Sequence, residues 1–143
     1  MDPPQPTPAV TRHRMLASLP EGAVAAFVAA SEDPGLFIAE LRHLGGAAAG
    51  PAADAGAVSA VAGEDIVHGI AVPPVPEAGP AAVAASTGLV DALEPWAGEG
   101  LALTFLDGGA DRTPGFGASV ERLRALKAEW HPRNVFAAAN PVR

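Results

Sequence analysis

The 143-residue chain contains no cysteine, which excludes disulfides, thiolate metal ligands and a cysteinyl flavin link within these residues. Aromatics amount to 5%, and the 49% hydrophobic content is largely alanine and other small residues, each of which removes little apolar surface from water when buried. A thin core is expected. Four histidines, at 13, 43, 68 and 131, lie too far apart for a local metal motif, so no metal is expected. The start, Met1-Asp2-Pro3-Pro4-Gln5-Pro6-Thr7-Pro8, has no basic cluster followed by an apolar stretch and reads as neither a secretory signal nor a membrane span. Cytoplasmic location is the expectation.

What is present is punctuation and acid. Gly and Pro number 16 and 15, and the formal net charge is −7; scattered acidic residues argue against nucleic acid or anionic membranes as partners. The prolines of the start favour extended, unpaired backbone, so residues 1–13 are expected to be a disordered tail. Ser18-Leu19-Pro20-Glu21 has a capping-box pattern, and Val24, Phe27, Val28 and Ser31 follow at helical spacing, predicting a helix over 19–31 with those residues inward. Residues 36–44 read as a strand with Phe37, Ala39, Leu41 and His43 on one face and Ile38, Glu40 and Arg42 on the other. A loop over 47–63, a second strand over 65–72, a helix over 80–93 with Val83, Val90 and Leu93 inward, a third strand over 101–106 and a helix over 117–130 with Val120, Leu123 and Leu126 inward complete the order. The fold class is α+β: a small, mainly antiparallel sheet with helices on one face.

The C-terminal run Lys127-Ala128-Glu129-Trp130-His131-Pro132-Arg133-Asn134-Val135-Phe136, continuing to Asn140-Pro141-Val142, closely resembles the closing signature of the berberine bridge enzyme-like FAD-linked oxidases, in which a helix ends in a K-x-x-Y-D-P-x-N-V-F-R-x-N-H-P-I pattern. Three earlier pieces resemble the same family in the same order. Glu40-Leu41-Arg42-His43-Leu44-Gly45-Gly46-Ala47 is similar to an E-L-R-x-L-G-G-A strand of bacterial members, residues 67–77 to the next strand with its P-P-x-P-E exit, and residues 93–106 to an L-x-P-W … Y-x-N-F segment. The likeness spans about residues 14–143 and divides the chain into a partial substrate domain (14–121) and a closing segment (122–143).

That resemblance implies an antiparallel sheet backed by helices that covers the flavin ring, with FAD held by a separate domain that these residues do not contain. Alcohols, amines or sugars would be oxidised by hydride transfer to the flavin. The implied substrate-pocket residues are Glu40, Arg42 and Thr104, and the implied flavin-side residues are Asn134 and Asn140. The family tyrosine falls on Ala102, whose methyl group cannot take a proton, so no catalytic residue is assigned and the isolated chain is expected to be inactive. For Glu40 and Arg42 an ordinary surface ion pair is the competing reading; for Thr104, Asn134 and Asn140 it is a structural role. Gly45-Gly46, Gly108-Gly109 and Gly115-Phe116-Gly117 lack the strand, glycine and helix context of a dinucleotide site. The implied partner is a separately encoded FAD-binding domain or a second copy of the chain. A stand-alone α+β module for ligand binding or dimerisation is the alternative. The Ala-, Gly- and Arg-rich composition is the coding bias expected of a GC-rich bacterial genome.

Overall fold

The computed structural model describes residues 8–48, 50, 61, 63–73, 75–106 and 110–142. Its elements are β1 (Val10–Leu16), α1 (Glu21–Ser31), β2 (Ile38–Arg42), β3 (Asp65–Ala71), α2 (Gly79–Asp91) and α3 (Val120–Trp130). The strands form one antiparallel sheet in the order β1-β3-β2. β3 takes the centre because it is the strand able to be buried on both faces: Ile66, Val67, His68, Gly69 and Ala71 are all buried, and its β-branched residues suit a pleated surface. The prolines from Pro73 onward cannot donate to a ladder and end it.

The α+β class holds, but the third strand is not the one expected. Residues 101–106 form no ladder; Phe105 N–H donates to Ala102 O in a 3-10 turn over Leu103–Phe105, and Ala102 N–H goes to a histidine side chain. The third strand is β1, which begins at Val10 and so takes residues 10–13 out of the expected tail; residues 1–7 lie outside the described ones. Two arginines and a histidine hide this strand from a hydropathy reading. Arg14 lays its stem along the sheet, donates from Nε to Val90 O at 2.8 Å and pairs with Asp91 and Glu94, so its charge reaches the rim while its carbons pack.

α1 and α2 cover one sheet face, where Leu16, Ala23, Val67, Leu89, Val90 and Leu93 make the main core. Gly69 lets α2 come close: a Cβ there would meet Leu89 Cδ2 at 2.9 Å. The inward stripe of α1 differs from the expected one. Ala23 is buried with Phe27 and Ala30 beside it, whereas Val24 and Val28 are 41% and 53% exposed; the small alanines admit close approach to the sheet. The capping box does not form either, since Pro20 is the N-cap and no side chain bonds there. In α2, Ala82, Ala85, Ser86, Leu89 and Val90 face inward while Val83 stays exposed. Ser86, fully buried, donates its hydroxyl to Ala82 O at 3.0 Å and is thereby satisfied.

The other face is covered by the 101–106 segment, with Met15, Ile66 and Ala102 buried and Leu44, Val61 and Phe105 against them. α3 starts at Val120 and not at 117, because Gly117 adopts φ 53°, ψ −145°, a conformation essentially reserved for glycine. The expected inward residues of α3 find no core. None of its residues is buried, and Leu126 is 42% exposed. Among the described residues no helix is long and apolar enough to cross a membrane.

Candidate functional site

Strand register brings together three residues distant in sequence. His13 on β1 pairs with His68 on β3, which pairs with Glu40 on β2, so the three lie in one row across the sheet, on the face away from α1 and α2. Arg42, two residues along β2 and on the same face, donates to Glu40 Oε1 from Nε at 3.0 Å and from Nη2 at 2.6 Å. The Phe105 ring lies over this row: it stacks on His68 at 4.3 Å between centroids, and the Arg42 guanidinium sits 5.5 Å from its centre.

Each member of the row has a defined electrostatic state. His13 Nε2 accepts from Ala102 N–H at 3.0 Å, while Nδ1 faces Phe105 O at 3.2 Å. These partners demand a lone pair on Nε2 and a proton on Nδ1, which is one neutral tautomer. Burial, the largest cause, holds its pKa below the usual histidine value; the Phe105 carbonyl opposes and nearby His68 adds to the lowering. His68 is also held low by burial, with Glu40 opposing. Glu40 Oε2 stands 3.8 Å from His68 Nδ1, beyond hydrogen-bond reach, so the carboxylate acts on the ring through its charge. Glu40 itself is held below the usual carboxylate range, first by the hydrogen bond from Arg42. His68 Nε2 is buried without a hydrogen-bond partner among the described residues.

Glu40 and Arg42 thus share one surface, as alternation along β2 required. Thr104 does not join them: it is exposed on the turn that carries Phe105, and none of the described cavities is lined by these three residues together. Ala102 packs against Met15 and Ile66, buried, where the bulk of a tyrosine would displace that cluster. Asn134 and Asn140 lie on the tail that folds back beside α3. Asn134 forms the turn, at φ 48°, and Asn140 Oδ1 accepts from Arg112 Nε at 2.9 Å. Lys127 Nζ holds the tail's end through Val142 O at 2.7 Å. Tail and helix enclose an open groove of about 760 Å³ whose wall includes Leu126, Trp130, Asn134, Phe136 and Asn140. His13 and His68 were legible only as isolated histidines, one in an expected tail and one in a strand without neighbours; the signal that unites them is strand pairing, which a single sequence does not display.

A small antiparallel sheet, backed by two helices on one face and bearing a carboxylate, an arginine and two histidines on the face that the 101–106 segment partly covers, defines an α+β unit with one polar row. Residues 113–143 match the family described as berberine and berberine like, which is FAD-linked, so this chain ends in a berberine-like segment. No curated protein matches the chain.

FAD can be tested against the described residues. Gly115 is buried, and a Cβ on it would run into Leu103; that turn is filled by a side chain and leaves no room for a phosphate. Gly46 and Gly117 have positive φ but neither joins a strand to a helix N-terminus as a dinucleotide cradle does. Gly63, also at positive φ, leads into β3, so the described residues form no glycine cradle for the phosphates of FAD. No three His, Asp or Glu side chains among them are placed to hold a metal ion.

Proposed function

We propose that this chain forms a substrate-side wall of a berberine-like FAD-linked oxidoreductase, with the flavin nucleotide held by a domain that these residues do not supply. The reading is carried by one observation, the berberine-like match over residues 113–143. It is supported by the polar row on the sheet face opposite the helices, where Glu40 and Arg42 would meet a substrate. Arg42 keeps Glu40 ionised, and the ionised carboxylate can accept a hydrogen bond from a substrate hydroxyl or amine. Asn134 and Asn140, on the groove wall, would lie towards the flavin domain. The chain by itself would be inactive.

Titrating the isolated chain with FAD, while following tryptophan and flavin fluorescence, tests the division of labour. No saturable binding is expected. Tight binding by the chain alone would overturn the proposal that the nucleotide site lies elsewhere.

A second reading, a module that associates with its own copy, is favoured by the surface of α3 and its tail. Trp130, Val135 and Phe136 are 78%, 66% and 79% exposed, a larger apolar area than a single scattered residue presents. Six of the nine Lys and Arg residues lie at 110 or beyond, with only three of the sixteen Asp and Glu residues, so the C-terminal part is cationic and the rest strongly acidic. Sedimentation equilibrium separates the two readings: a monomer at all concentrations sinks the second.

A further inference from the structure

His68 carries a buried polar atom that none of the described residues bonds. The residue is 5% exposed and its Nε2 has no hydrogen-bond partner among the described residues, although the large majority of buried side-chain polar atoms are paired. Glu40 fixes the sense of the ring. With a carboxylate oxygen 3.8 Å from Nδ1, the proton is most stable on Nδ1, facing the negative charge, and Nε2 is left as a bare lone pair. Charges around it cancel, because Arg42 is bound to Glu40 and both nitrogens of His13 are committed to backbone groups. What remains is one acceptor in a charge-balanced, largely apolar surround. Phe105 stacks on the face of the His68 ring, and the same residue lines a neighbouring cavity of about 140 Å³ whose wall also includes Thr11, Arg12, His13, Leu101 and Leu106.

We infer that His68 Nε2 is the acceptor for the hydroxyl or neutral amine N–H of a small aromatic ligand, whose ring takes the place of Phe105 against the imidazole. Exchange of one ring for another conserves the stacking contact, and the ligand's donor supplies the bond that Nε2 lacks. Because Glu40 and Arg42 neutralise each other beside the ring, neither an anion nor a cation gains a net attraction there, and a neutral donor suits Nε2. That the ligand is the oxidase's substrate rests on the function proposed above; the acceptor site does not.

Nitrogen-15 spectra of the histidine side chains, recorded on the full chain near neutral pH, test this directly with benzyl alcohol as the probe and toluene as the control. Benzyl alcohol should move the His68 Nε2 resonance towards the hydrogen-bonded position with saturation, and toluene should leave it in place. Phe105→Leu, by removing the competing ring, should tighten benzyl alcohol binding about tenfold. His68→Phe should abolish the preference for the alcohol over toluene. An unmoved His68 signal in the wild type at saturating alcohol, or an equal movement with toluene, overturns the inference, and the wild-type measurement decides even if a variant fails to fold. No flavin enters this titration, so its failure leaves association with a flavin domain to be judged separately.

Discussion

Replacing His13 with phenylalanine keeps a ring of similar size but removes both nitrogens that tie the 101–106 segment to the sheet. Ala102 N–H, on a residue only 5% exposed, is left without its acceptor, and Phe105 O loses its donor. An unmet buried donor costs about 1–3 kcal/mol and a lost bond to a half-buried carbonyl about 0.5–1 kcal/mol, so His13→Phe should destabilise the protein by about 2–3 kcal/mol. For a chain of this size that lowers the melting temperature by roughly 8–12 °C. The pH dependence gives an independent check. Folding depresses the pKa of both His13 and His68, so between the folded values and about 6.5 the unfolded chain binds more protons and stability rises with pH. The histidine contribution is complete above about 6.5 and is lost as pH falls through the folded values, with a slope of at most about 1.4 kcal/mol per pH unit for each group. Urea unfolding at about pH 7.5 and about pH 5 should therefore show a loss in the wild type and a smaller loss in His13→Phe, where only the His68 share remains. Equal midpoints at neutral pH, together with equal losses on acidification, would refute the role given to His13.

Leu93 is fully buried in the main core, and Leu93→Ala should cost about 2–5 kcal/mol in urea unfolding. Gly117→Ala forces a side chain into a glycine-only conformation and should destabilise by about 1–3 kcal/mol, with the amide protons of the turn before α3 exchanging faster. Arg42→Ala should raise the Glu40 pKa towards its ordinary value, read by carboxyl carbon chemical shifts, while changing stability by less than about 1 kcal/mol because the pair is exposed. Trp130→Ala should change the stability of the isolated chain by no more than about 0.5 kcal/mol, since the residue is 78% exposed; a larger loss would show that α3 is held by packing absent from this structure.

Legibility of the sequence followed the apolar pattern. β3 stood out because Ile66, Val67, Ile70 and Ala71 are apolar and prolines stop the strand, and α2 because Val90 and Leu93 recur at helical spacing. β1 is hidden in the sequence because Arg12, His13 and Arg14 interrupt its pattern; Arg14 finds its partners on α2 and His13 on the 101–106 segment, contacts that exist only after folding. The segment 101–106 behaves conversely: Leu101, Leu103, Phe105 and Leu106 look like a strand, yet the Ala102 N–H is bonded to the His13 ring and not to a ladder. In α1 the larger valines suggested the buried face, whereas closeness of approach selected Ala23. As for the site, alternation places Glu40 beside Arg42, register alone puts His68 and His13 in line with them, and Thr104, which the family resemblance implies, sits exposed on the turn that carries Phe105.

The central claim is that this chain is the substrate-side complement of a berberine-like flavin domain. It is tested most directly by mixing the chain with a separately produced, FAD-loaded flavin-binding domain of a berberine-like oxidase and recording the flavin absorption spectrum. A saturable shift of the flavin bands at one-to-one stoichiometry, weakened by Trp130→Ala, is the predicted result. A spectrum unchanged by excess chain, with the two components sedimenting apart, would contradict it.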